Sequence, residues 1–272
     1  MAGSPSTSSS AERTTPSGRT GAGLWRVTMF AEGSAVAITE PALTAALAEH
    51  AFVHLPAPVA CDLLGWSPVE WAAFAGSWDR LGPDRYMADG GRYRSRRHAT
   101  FEVSAGAIRR KAHQPHFQSR DYNPLNGDVQ RWFDPIEPEV ADGPILRAVF
   151  DHFTPLFDSL DRRGAGAIWH SEVHQFRIET SPAELGRPTP EGLHRDGVDW
   201  VLVMLIAREN VAQGVTEIGD DAGTSLGRFT LGAPGEAVVL DDRRIRHGVT
   251  PIVARDGAPA HRDALVVTWR AD

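Results

Sequence analysis

The stretch Glu191–Ile206, EGLHRDGVDWVLVMLI, sets His194, Arg195 and Asp196 at the mouth of one of the most apolar runs in the chain. Val201 to Ile206 consists of β-branched or large aliphatic residues, the composition of a buried strand. Ionisable groups at such a threshold are costly unless they are paired, solvated or bound to a metal. On a strand, residues i and i+2 share a side, so the His194 imidazole and the Asp196 carboxylate converge while Arg195 faces away. Such a pair plus one more histidine makes the 2-His-1-carboxylate facial set, which leaves coordination positions open on iron.

The pair alone is a weak signal, because a chain with 11 histidines and 35 acidic residues is expected to contain about one by chance. Three occur: His170/Glu172, His194/Asp196 and His261/Asp263. Context separates them. His261 has no histidine after it, and His170/Glu172 lies within a strand-like run. His194/Asp196 is followed by Gly197 and, further on, by VVLDDRRIRHGVTPI, in which His247 opens a second strand after a turn. A closed β-structure can return His247 to His194.

Around this centre the chain divides in character. From Ile168 onward IWHSEVHQFRIE, WVLVMLIAR, RFTLG, EAVVLDD, HGVTPIV and ALVVTWR are short strand-like runs separated by Gly, Pro, Asn and Asp, the pattern of a sandwich or barrel. The N-terminal half carries helix signals. Thr39 and Pro41 open TEPALTAALAEH; Ser67, Pro68 and Glu70 form a capping box; Ile145 to Asp161 has helical apolar spacing that Pro155 should kink or split. Leu24–Phe30, Ala51–Pro56 and Arg92–Val103 read as strands, and His116–Ile136 as mostly loop. Residues 1–23 read as a disordered leader rich in Ser, Thr, Gly and Pro rather than a signal peptide. The remainder, 24–272, reads as one unit, helical over about 24–165 and β over about 166–272.

With 272 residues, 42% hydrophobic, 23% charged and a formal net charge of -7, the composition argues against a general nucleic-acid or membrane surface. A single cysteine, Cys61, excludes an intrachain disulfide framework, and no apolar run approaches the roughly 20 residues of a bilayer span. A cytoplasmic protein is the expectation, with the oligomeric state open and a homo-oligomer compatible.

A 2-oxoglutarate on iron would need its distal carboxylate held, a task suited to arginine. HRDALVVTWR offers Arg262 and Arg270 with the same parity, Arg262 being the one nearer the turn after His247. Thr268 on the same run is a further candidate for that co-substrate. Arg92, Arg94, Arg96 and Arg97 form a basic cluster able to clamp a carboxylate or, equally, to charge a solvated edge strand. Tyr93 and Arg177 are further substrate-binding candidates against packing and surface ion-pair roles. His174 fits a satisfied core histidine better than a ligand. Asp241 and Asp242 fit turn capping or an outer hydrogen bond to a ligand. Trp200 and Trp269 fit the core, and no catalytic group is identified beyond the metal centre.

GLHRDGVDWVLVMLIARENVAQGVTEI, FTLGAPGEAVVLDDRRIRHGVTPI and HRDALVVTWR resemble the bacterial 2-oxoglutarate/Fe(II) dioxygenase family that includes the L-isoleucine 4-hydroxylases. HQFRI and YNPLNGDVQRWFDPI are similar to its upstream segments. Two departures stand out: Gly214-Val215-Thr216 lacks the family's second glycine, and Arg195 replaces a glutamine. The resemblance implies an α+β, mainly β fold, with a double-stranded β-helix (jelly-roll, cupin-like) core and N-terminal helices packed on it. It also implies Fe(II) held by His194, Asp196 and His247, with 2-oxoglutarate and O₂ as co-substrates and ascorbate as reductant in vitro. The reaction implied is hydroxylation of a free, aliphatic L-amino acid, with no nucleic-acid or membrane partner. A zinc hydrolase on the same ligands and a non-catalytic jelly-roll binding module are the rival readings from the residues.

Overall fold

The computed structural model describes residues 39–163 and 167–272; the leader and the strand expected at Leu24–Phe30 lie outside them. In chain order, α1 (Glu40–His50), β1 (Phe52–Leu55), α2 (Ala57–Leu64) and α3 (Pro68–Ala75) come first. β2 (Gly82–Pro83), β3 (Arg94–Ser104), β4 (Ala107–Arg110), β5 (Asp134–Pro135), α4 (Pro138–Ala141) and α5 (Pro144–Leu160) follow. The C-terminal part holds β6 (Trp169–Thr180), β7 (Trp200–Glu209), β8 (Val211–Gln213), β9 (Thr216–Gly219) and β10 (Ser225–Phe229). It ends with β11 (Ala237–Asp241), β12 (Arg246–Val249), β13 (Ile252–Ala254) and β14 (Ala260–Ala271).

A large sheet runs β1-β11-β7-β14-β6-β3-β2, and a small one runs β10-β9-β12. Its strands alternate. Leu202, Met204, Leu265, Val267 and Trp269 face the helices, while Val201, Val203, Val238 and Val266 face the small sheet. This is a jelly-roll with helices covering one face of the large sheet.

The helix-facing side is anchored by three tryptophans. Trp169, Trp200 and Trp269 donate their indole N–H groups to Asp158 (2.7 Å), Asp161 (3.1 Å) and Thr154 (3.1 Å) on α5 or at its end. Phe157 stacks on Trp200 at 4.6 Å and meets Trp269 edge-on at 5.0 Å. Each ring is thus buried without an orphaned donor, which orients α5 as well as holding it. The same packing explains why Pro155 leaves α5 continuous. Pro155 lies on the exposed side of the helix, where the unbonded Asp151 carbonyl meets water, while Phe153, Leu156 and Phe157 on the other side are buried.

The expected capping box is present: Ser67 Oγ accepts from Glu70 N–H at 3.2 Å and Glu70 accepts from Ser67 N–H at 2.8 Å. The boundary near residue 165 does not divide the sheet, because β1 and β3 from the N-terminal half are strands of it. No helix among the described residues is long and apolar enough to cross a membrane.

Candidate active site

His194 and His247 meet as an isolated antiparallel bridge. Each N–H donates to the other's carbonyl, at 3.0 and 2.9 Å, and the two rings stand 4.7 Å apart at 87°. His194–Asp196 is therefore not a regular strand segment, as its i, i+2 spacing suggested; it is the loop entering β7. That loop is tied down by the Asp242 carboxylate, which accepts the N–H groups of Asp196, Gly197 and Val198 at 2.9–3.2 Å. Arg195 does face away, donating to Asp221 at 2.8 Å.

The convergent atoms are His194 Nε2, 3.4 Å from Asp196 Oδ1, and His247 Nε2, 3.5 Å from Asp196 Oδ2. His194 Nδ1–H donates to Gly192 O at 3.1 Å, which turns Nε2 toward the centre. Both nitrogens of the buried His247 ring lack partners. An orphaned buried imidazole costs free energy unless something occupies it, and two imidazoles with a carboxylate are the donors a first-row divalent metal takes. The residues fit the metal. Burial pushes the Asp196 carboxyl up, but hydrogen bonding and charge attraction from His194, with His247, hold it well below the usual carboxylate range. Burial, with the His194 charge nearby, pushes His247 down to about 4, so this ring is neutral as a ligand must be.

The triad opens on a cavity whose floor is the inner face of the large sheet. Register places Arg94, Ile178 and Arg262 in one row across β3, β6 and β14, with Arg96, Phe176 and Ala264 in the next. On the β14 side, Arg262 is buried and its Nε and Nη2 have no partner. Burial, with Arg208 alongside, pushes its guanidinium down to about 10, so it remains a cation awaiting an anion. Val203, Val238, Ala264, Val266, Thr216 and Thr268 line the cavity with it.

The β3–β6 side is polar. Glu172 receives His116 Nδ1–H at 2.5 Å and is 3.4 Å from His174 Nε2, 3.6 Å from His170 Nε2 and 3.8 Å from His98 Nε2. Burial would raise its carboxyl; attraction to His116 and the imidazole hydrogen bonds keep it well below its usual range. The group resembles a second metal cage, in which His174 is committed to hydrogen bonds. Arg96 Nη2 lies 2.7 Å from His174 Nδ1 and can only donate, so His174 must carry its proton on Nε2, facing Glu172. That ring has no bare nitrogen for a cation.

The family model for 2OG-Fe dioxygenases matches residues 75–268. The chain belongs to this dioxygenase family. A bsmA homologue from Methylobium petroleophilum, solved by crystallography, is similar to this 2OG-Fe dioxygenase with 36% identity and a TM-score of 0.79, over 87% of this chain and 95% of that one. The 3(1)-hydroxy-L-isoleucine 4-dioxygenase of Pantoea ananatis is 25% identical and the L-isoleucine-4-hydroxylase of Bacillus thuringiensis 27% identical, each over 158 residues. These alignments span 57% of this chain and 64% of each relative, less than two thirds of the relatives' length.

Of the remaining residues singled out in the sequence, Arg94 lines the cavity, ion-paired to Asp84 at 2.7 Å. Arg270, at the far end of β14, is exposed and does not reach the cavity. Nor do Arg92, exposed before β3, or Arg97, which donates to carbonyls of Arg80 and Pro135. Tyr93 points the other way and donates to Asp89 at 2.6 Å. Arg177 is on the opposite face of β6, bound to Asp263 and Asp79 at 2.7–2.9 Å. For Tyr93, Arg97 and Arg177 the physical reason is strand parity, since the inner face takes Arg94 and Arg96 and their odd-numbered neighbours face out; Arg92 precedes β3 and Arg270 lies at the far end of β14. Asp241 caps the turn to Arg243, accepting its N–H at 3.2 Å.

Among the cavity residues that carried no site assignment are His116, Gln118, Arg131 and Glu191. The first three fall in a stretch read as loop. A bridge between His116 and Arg131 closes it against the cavity, and their density of polar side chains was the available signal.

Proposed function

We propose that this chain is an Fe(II)/2-oxoglutarate-dependent oxygenase that hydroxylates the side chain of a free, aliphatic L-amino acid. The observation that carries the reading is the orphaned pair in one cavity: the doubly unpartnered His247 ring beside His194 and Asp196, and the unpartnered guanidinium of Arg262. The substrate class is supported by the relatives, whose names describe oxidation of L-isoleucine and of its hydroxylated derivative.

Bound iron with 2-oxoglutarate and O₂ supplies the oxidising power, one oxygen atom passing to a substrate C–H and the other to succinate as CO₂ leaves. The chain's own part is positional. His194, Asp196 and His247 would hold the metal, beside the cavity that they border. Arg262 takes the distal carboxylate of 2-oxoglutarate with paired N–H donors, Thr216 and Thr268 bordering the same slot. Val203, Val238 and Val266 exclude water around the chain of the co-substrate. Arg94 and its neighbours face the substrate side.

The test is succinate formation from 2-oxoglutarate with Fe(II) and ascorbate, screened against the twenty L-amino acids with products read by mass spectrometry. Stimulation by an aliphatic amino acid and a product heavier by one oxygen are expected. In His247→Ala, iron stoichiometry and succinate should both fall to background; succinate formation undiminished in that variant would sink the proposal.

A further inference from the structure

The β3–β6 side of the cavity holds charges that neither the metal nor Arg262 accounts for. Arg96 is buried, 4% exposed, with its guanidinium sandwiched between Phe133 at 3.7 Å and Phe176 at 4.3 Å. One of its donors is spent on His174; its Nε has no partner. Arg131 is 2% exposed, its guanidinium carbon is 5.9 Å from the centre of the same Phe133 ring, and its Nε is also unpartnered. Among the described residues no carboxylate comes within 4.0 Å of Arg131, and the nearest to Arg96 is Asp84 at 3.8 Å, already paired with Arg94. Two buried guanidiniums with free N–H groups in one cavity call for an anion.

The same cavity also offers the complementary charge. Glu191, whose side chain is 10% exposed, has one carboxylate oxygen, Oε2, buried with no partner; its other oxygen is 3.7 Å from His194 Nε2. His116 gives its Nδ1 proton to Glu172, so its Nε2 is the bare nitrogen, a hydrogen-bond acceptor. A backbone bridge pairs His116 with Arg131, and both line the cavity.

We infer that this is the head-group subsite of a free α-amino acid, with its carboxylate held by Arg96 and Arg131 and its ammonium by Glu191 and His116 Nε2. The inference rests on the oxygenase reading and sharpens it: the substrate must arrive with both charges intact. An ester, or a thioester to a carrier, leaves two buried guanidiniums without their anion. An N-acyl group removes the cation that Glu191 requires. Anchoring both ends of the zwitterion leaves the side chain as the part free to face the metal.

The test measures binding without turnover, by calorimetry on the Co(II)- and 2-oxoglutarate-loaded protein under argon. The twenty L-amino acids are the probes, with the methyl ester, the N-acetyl derivative and the desamino acid of whichever binds most tightly. The ester and N-acetyl derivative are expected to bind on the order of 10²-fold more weakly than the amino acid. Arg131→Gln should weaken the amino acid and the desamino acid alike, whereas Glu191→Gln should weaken the amino acid and spare the desamino acid. Circular dichroism checks that each variant is folded, and Arg131→Lys, which keeps the charge, should fall between wild type and Arg131→Gln. An ester that binds as tightly as the acid, a Glu191→Gln effect equal on both ligands, or no binding by any of the twenty would overturn the subsite. Failure of the wild-type protein to bind 2-oxoglutarate would instead remove the oxygenase reading beneath it.

Discussion

Arg262 shows at the residue scale how a site can be recognised by what it lacks. A buried guanidinium with two unpartnered nitrogens and a lowered pKa destabilises the ligand-free chain. An anion bound to Arg262 would offset that cost. Replacing this residue should therefore separate stability from function. Arg262→Met, of similar length and no charge, is expected to raise the thermal midpoint of the ligand-free protein while weakening 2-oxoglutarate binding by about two orders of magnitude. Differential scanning calorimetry and a 2-oxoglutarate titration check the two halves. A fall in both stability and affinity would mean that Arg262 is structural.

At the scale of elements, the metal-binding loop owes its shape to one side chain. Asp242 sits between β11 and β12 and collects three backbone N–H groups from the loop before β7, so one carboxylate ties together two segments distant in sequence. Burial, with the Asp196 charge nearby, pushes its carboxyl up to about 7. Asp242→Ala strands those donors and is expected to cost about 3 kcal/mol or more of stability in urea unfolding, with iron affinity lower as well. Gly248 supports the same loop from the other side. A Cβ there would lie 2.9 Å from the Gly192 carbonyl oxygen, the acceptor that orients His194. Gly248→Ala should thus reduce metal affinity by about 10-fold and also lower the unfolding midpoint, because the atoms it meets are backbone. Competition with a chelator of known affinity reads that shift.

For the molecule as a whole, the histidine-rich floor makes stability depend on pH. Burial first, against attraction from Glu172, pushes His116 down to about 4 from its ordinary 6.5. Between those values the unfolded chain binds the proton and the folded chain does not, so stability rises with pH across that window and is lost as pH falls from about 6.5 toward 4. His98 and His174, pushed down by burial, act in the same direction. The urea midpoint is expected to drop between pH 7 and pH 5, and to drop less in His116→Gln. An equal slope in both proteins would place the effect on other groups.

What could be read from the chain alone was whatever local chemistry enforces. The apolar run after Asp196, the capping box at Ser67 and the tight spacing of His194 with Asp196 are dictated by neighbours in sequence. Their elements and the pairing with His247 emerged as read, save that a loop rather than a strand presents the pair. Alternation put Arg262 and Arg270 on one side of a strand but gave no means of choosing between them, because parity says nothing about which end of a strand faces a cavity. In the structure the Arg262 end of β14 borders the cavity and the Arg270 end does not. The tertiary structure also decided that Arg96 and Arg131, which lie on different elements, approach one phenylalanine, and that Arg177 turns outward to Asp263. Sequence fixes what a segment can form through contacts a few residues apart; which charges are left unpaired in a common cavity depends on sheet register and loop closure, and these exist only once distant segments have packed.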